Sequence, residues 1–167
     1  RRIFVEMARE KGVGKRTESR KKRLMELYKK CKEEERDWME ELGHTEETTL
    51  RSDKLYLYYT QKGRCMYSGE TIELGELWDN RKYDIDHIYP QSRVMDDSLD
   101  NRVLVKKECN AAKTDDYPIH EDIRKKMGSF WHMLMTSGFI SKEKYKRLTR
   151  GTGFEPSELA GFIARQL

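Results

Sequence analysis

Hydrophobic and polar positions change their spacing several times along the 167-residue chain, and each change marks an element. Ile3, Phe4, Val5, Glu6 and Met7 predict a β segment too short to be stable alone. Residues 9–18, polar and holding Gly12 and Gly14, predict a loop. From 19 to 42 the apolar positions Leu24, Leu27, Tyr28, Cys31, Trp38 and Leu42 fall at helical spacing among Lys, Arg and Glu. They predict one long amphipathic helix stopped by Gly43. Its charge run at 29–35 follows its lysines with three glutamates, so it reads as a solvated face rather than a strip along nucleic acid. After a Thr- and Glu-rich linker at 44–50, Ser52 or Asp53 can cap a helix carrying Leu55, Tyr56, Leu57, Tyr58 and Tyr59, with Gly63 near its end. Five such residues in a row predict burial on several sides, with the tyrosines as core rather than as stacking platforms for bases.

Residues 65–67 and 70–72 predict two short extended runs about the turn Ser68-Gly69, a hairpin. At Tyr83, Asp84, Ile85 and Asp86, apolar residues alternate with acids, predicting a strand that ends with His87, shortly before Pro90. A polar loop at 91–102, a second strand at Val103, Leu104 and Val105, and a helix at about 107–115 follow, closed by Pro118. Ile123, Met127, Phe130, Trp131 and Leu134 predict an amphipathic helix ended near Gly138. Ser141 caps a shorter one holding Tyr145 and Leu148, and Pro156 sits in the first turn of a last helix.

Composition narrows the class. Apolar residues are 36% and charged residues 38%, so the core is modest; a net charge of +4 permits a nucleic-acid partner without implying one. Three scattered cysteines, Cys31, Cys65 and Cys109, contain no C-x-x-C pair, which argues against a disulfide framework or zinc knuckle and fits a reducing cytosol. No apolar run approaches the roughly 18 residues of a membrane span, and no signal peptide stands at the start. The chain begins at Arg1 rather than methionine and reads as a piece of a longer protein.

The candidate chemistry lies at the first strand and the helix after the second. Asp86 offers a carboxylate and Asn110 an amide oxygen, the hard donors Mg²⁺ accepts while keeping several waters. His87, with an ordinary pKa of about 6.5, is largely neutral at pH 7 and can take a proton from water. Lys113, one turn beyond Asn110, can face a phosphate. Each residue has an ordinary reading: Asp86-His87 as a surface ion pair, Asn110 facing solvent, Lys113 without a role. Their conjunction, D-x-D-H-x-x-P at a strand end and then loop, strand and a helix bearing N-x-x-K, favours a one-metal phosphodiesterase site. His44, His120 and His132 lack acidic ligand spacing and read as incidental.

Residues 83–115 resemble the HNH nuclease motif, the ββα-metal fold, in the version carried by the RNA-guided DNA endonucleases of type II CRISPR systems, the Cas-nine family. The resemblance rests on Tyr83-Asp84-Ile85-Asp86-His87-Ile88, Pro90-Gln91-Ser92, Asp96-Asp97-Ser98-Leu99-Asp100-Asn101, Val103-Leu104, Asn110 and Lys113. Residues 55–59 with Gly63-Arg64 look like the helix before that domain, 3–10 like the second RuvC segment of those enzymes, and 160–167 like the linker to their third. The resemblance implies an α+β, mostly helical fold: a small ββα-metal core with a two-stranded antiparallel sheet, surrounded by helices. It divides the chain into a RuvC remnant (1–10), a helical linker (11–50), the HNH nuclease domain (51–150) and a second linker (151–167).

The same resemblance makes His87 the general base and puts Mg²⁺, for which Mn²⁺ can substitute, on Asp86 and Asn110. It gives Asn101 a supporting place behind the ligands, Asp84 an outer-sphere place and Lys113 a phosphate contact. Glu6 matches a RuvC metal ligand whose partner carboxylates this chain lacks. Structural zinc is not expected, since only Cys65 and Cys109 remain of the two C-x-x-C pairs many HNH proteins carry. The implied function is magnesium-dependent cleavage of the DNA strand paired with a CRISPR guide RNA, in antiviral defence in the bacterial cytoplasm. The partners would be the guide RNA–target DNA heteroduplex and the RuvC and other domains of a monomeric parent enzyme, with the two linkers as hinges. A stand-alone homing or restriction nuclease, and a non-catalytic nucleic-acid adaptor, remain as alternatives.

Overall fold

The computed structural model describes residues 19–31, 36–113 and 116–166, which fall into two compact units divided between Ser52 and Asp53. Glu6 and the expected β segment at 3–7 lie outside the described residues.

In the first unit, helix α1 (Arg20–Lys29) is capped by the Ser19 hydroxyl, which accepts from the Lys22 N–H, and buries Leu24 and Tyr28. Helix α2 (Trp38–Gly43) is capped by the Asp37 carboxylate and buries Trp38 and Leu42. The single helix expected over 19–42 is therefore two. The Tyr28 and Trp38 rings stack with centroids 4.8 Å apart, whereas ten residues of straight helix would separate them by about 15 Å. Burying both aromatics together outweighs continuing a helix through a run of charges. Lys21 then donates to the Gly43 carbonyl at 3.1 Å, satisfying the end of α2.

The second unit is built on a two-stranded antiparallel sheet, β1 (Tyr83–His87) and β2 (Arg102–Lys106), in the register Tyr83↔Lys106, Ile85↔Leu104, His87↔Arg102. An isolated pair of this size is marginal in water, so its support comes from helices. Helix α3 (Asp53–Thr60) buries all of Leu55, Tyr56, Leu57, Tyr58 and Tyr59. Just past it, the wholly buried Gln61 accepts from the Leu104 N–H and donates to the Leu104 carbonyl, both at 2.8 Å. Met66 also donates to that carbonyl. The outer edge of β2 is thereby closed without a third strand.

The hairpin expected over 65–72 is reduced to a single bridge, Arg64↔Thr71. The Cys65 N–H donates to the Glu70 carbonyl at 2.8 Å, and Gly69, at φ +75°, turns the chain in four residues, leaving no length for ladders. Helix α4 (Lys107–Lys113) follows β2 directly and packs on both strands. Helix α5 (Glu121–Thr136) buries Met127, Trp131 and Leu134 and ends before Gly138 at φ +84°. Its Trp131 indole N–H donates to the Met66 carbonyl. Ser141 caps α6 (Lys142–Thr149), and Pro156 opens α7 (Pro156–Gln166). His120 caps α5 through its ring nitrogen. No helix among the described residues is long and apolar enough to cross a membrane.

Candidate active site

Strand β1 and helix α4 meet through two rungs. Alternation along a strand puts Asp84 and Asp86 on one face, and three residues of helix put Asn110 and Lys113 on one face. The Asn110 side-chain amide donates to Asp84 Oδ2 at 2.9 Å. Lys113 Nζ pairs with Asp86 Oδ2 at 3.0 Å and donates to the His87 carbonyl at 3.1 Å.

The two acids have different freedom. Asp84 is fully engaged: Oδ1 accepts from the Ile85 N–H at 2.9 Å, and Oδ2 takes Asn110 and, at 3.4 Å, Lys107. Asp86 carries its bonds on Oδ2 alone, where the Tyr67 hydroxyl donates at 2.7 Å beside Lys113. Burial, with the Asp86 carboxylate beside it, holds the Tyr67 phenol well above its ordinary pKa, so it stays a donor. Among the described residues no hydrogen bond reaches Asp86 Oδ1 or Asn110 Oδ1. One carboxylate oxygen and one amide oxygen thus remain available, a donor set that suits a hard divalent cation keeping several waters.

Lys113 is nearly enclosed, with 3% of its side chain exposed against 12% for Asp86. Its ammonium serves Asp86 from inside, where a phosphate contact was the expectation. The His87 imidazole turns instead to the 91–98 loop, where Nε2 meets Asp97 Oδ1 at 2.6 Å. No hydrogen bond among the described residues joins this ring to Asp86 or Asn110.

Asn101, wholly buried, binds the loop to the strands. Its amide donates to the carbonyls of Tyr89 and Asp96, while its Oδ1 accepts from the Tyr89 N–H at 2.8 Å and from Arg147 at 3.1 Å. Arg147 of α6 also pairs with Asp96 at 2.8 Å and lies 4.4 Å over the Tyr89 ring. Lys144, buried in the same helix, donates to the Arg102 carbonyl at 2.7 Å. Away from these residues, the Cys65 and Cys109 sulfurs face each other at 3.9 Å. Burial and that neighbour push the Cys109 thiol up to about 11, so it keeps its proton at neutral pH.

Sequence reasoning missed Tyr67 as a partner of Asp86, Asp97 as a partner of His87, and Arg147 as a loop clamp. Tyr67 lies 19 residues before Asp86 and Arg147 lies 46 after Asn101. Neither periodicity nor local spacing carries such pairings.

A family model described as HNH endonuclease matches residues 65–119, the span holding every one of the rungs described. The chain is 40% identical over 170 residues to a CRISPR-associated endonuclease Cas9 of Streptococcus mutans and 40% identical over 168 residues to one of Listeria innocua. Each alignment takes in 99% of this chain and 12% of the relative. A Cas9 of Campylobacter jejuni is 48% identical over 65 residues, 39% of this chain and 7% of that protein.

Proposed function

We propose that this chain, whose residues 65–119 match the HNH endonuclease family model and which is similar along its length to a segment of Cas9 endonucleases, is a nuclease that hydrolyses the target DNA strand paired with a CRISPR guide RNA. It spans about an eighth of those relatives' length. Guide pairing, strand choice, the RuvC partner, the hinge role of the flanking segments and the bacterial cytoplasm are therefore part of the proposal.

In this reading Asp86 Oδ1 and Asn110 Oδ1 would hold Mg²⁺, which would supply charge neutralisation for phosphodiester hydrolysis. Asp84 fixes the Asn110 amide so that its oxygen, not its nitrogen, is the free end. Tyr67 and Lys113 do the same for Asp86, occupying Oδ2 and leaving Oδ1. His87 takes the proton of the attacking water. Asn101 keeps the segment after His87 in place through Tyr89. The observation that carries the reading is this division of labour: both oxygens of Asp84 are spent, while Asp86 and Asn110 each keep one.

The test is a Mg²⁺ titration of target-strand nicking by the full-length protein carrying Asn110→Ala or Asn110→Asp. Asn110→Ala should raise the Mg²⁺ needed for half-maximal rate by about 10-fold or more, and Asn110→Asp, which restores an oxygen, should recover much of it. An unchanged Mg²⁺ requirement in Asn110→Ala contradicts the assignment.

A further inference from the structure

His87 Nε2 and Asp97 Oδ1 stand 2.6 Å apart, ten residues from each other along the chain. A carboxylate at neutral pH only accepts, so the proton of the neutral imidazole sits on Nε2 and the lone pair on Nδ1. Nδ1 makes no hydrogen bond among the described residues. We propose that Asp97 is the positioning residue of His87: it fixes the ring's orientation and its Nε2–H tautomer, leaving Nδ1 as the atom that takes the proton. This rests on the nuclease reading above for its consequence, though not for its geometry.

Exposed His–Asp pairs are common and usually contribute little, and Asp97 itself is 74% exposed. Three features set this pair apart. The imidazole is only 21% exposed, so its rotamer is confined on the protein side. The residue before Asp97 is fastened from several directions: the Asp96 carbonyl accepts from Asn101, its carboxylate from Arg147 and the Ser98 N–H, and its own N–H donates to the Val94 carbonyl. Finally, Gln91 Nε2 donates to the same Asp97 oxygen at 3.2 Å, a second bond on the atom that faces the imidazole. By contrast His120 and Asp122, 3.6 Å apart and 72% and 88% exposed, form the loose surface pair of this chain. A base that acts in one geometry gains from such confinement, since an imidazole free to rotate or exchange tautomers presents the wrong atom part of the time.

The experiment has two arms. In the metal-free chain, ring ¹⁵N spectra taken at about pH 8.5, some two units above the ordinary histidine value, should show one protonated and one bare nitrogen for His87. In Asp97→Ala the two signals should move toward each other as tautomers exchange, and Asp97→Glu should move them part of the way back. In the full-length protein, Asp97→Ala should lower the kcat of target-strand nicking by about 10- to 100-fold with KM changed less than about twofold. Asp122→Ala should leave it unchanged.

Already averaged nitrogens in the wild type, or signals indifferent to Asp97→Ala, would overturn the proposal. So would a faster Asp97→Ala enzyme, which would make the carboxylate a block on the base. A locked tautomer together with wild-type cutting by His87→Ala would instead remove the nuclease reading and Asp97's role with it. Averaged nitrogens with an inactive His87→Ala would remove Asp97 alone.

Discussion

Replacing Lys113 by Met tests whether its ammonium belongs to Asp86 or to the substrate. The pair is almost dry, with 3% and 12% of the two side chains exposed and 3.0 Å between charges. At an effective dielectric of about 20, that separation gives about 5 to 6 kcal/mol of attraction, partly offset by desolvation of both ions. Removing one partner leaves Asp86 enclosed with only the Tyr67 hydroxyl, and such truncations cost about 3–5 kcal/mol. Lys113→Met should therefore destabilise the metal-free chain by that amount. The assay is urea denaturation followed by fluorescence, with the wholly buried Trp131 reporting on the same unit. Asp86→Asn and the double variant complete a cycle whose coupling energy should be about 2 kcal/mol or more. Coupling below about 0.5 kcal/mol, with stability near wild type and weakened DNA binding, would refute the internal role and return Lys113 to the phosphate contact the sequence suggested.

Two more outcomes follow from the same geometry. Asp84→Ala frees the Asn110 amide to rotate, so the Mg²⁺ requirement of nicking should rise by about 10- to 100-fold without loss of DNA binding. Lys144 offers a pH test: burial drives its pKa down to about 7, against which Asp100 raises it. The unfolded chain then binds more protons than the folded one between about pH 7 and the ordinary lysine value near 10.4, and stability should rise with pH across that window. Lys144→Met, denatured at about pH 7 and pH 9, should lose that rise; an equal rise in both proteins would count against a desolvated amine.

How much of this was legible in the sequence depended on whether a pairing was local. The alternation at Tyr83 to Asp86 and the apolar run at Val103 to Val105 marked both strands, and Ser141, Pro156 and Gly138 marked helix ends, because each acts on its own neighbourhood. Asn110 and Lys113 were placed on one helix face by their spacing alone. What each of them grips was not readable: that depends on how α4 lies against β1, which no local rule sets. The same limit explains the failed long helix. Spacing showed that Tyr28 and Trp38 are apolar positions, but not that their rings would stack on each other. Arg147, Lys144 and Tyr67 look like ordinary surface or turn residues until the folded chain brings them to the loop and the acid they serve.

The central claim is that His87 takes the proton of the water that cuts the target strand. The most direct measurement is a strand-specific nicking assay of the full-length protein on a labelled guide-paired duplex, wild type against His87→Ala. The account predicts target-strand cutting slowed by about 10²- to 10⁴-fold, with DNA binding and cutting of the other strand retained. Target-strand cutting at the wild-type rate would contradict it, and loss of DNA binding in that variant would favour a non-catalytic adaptor.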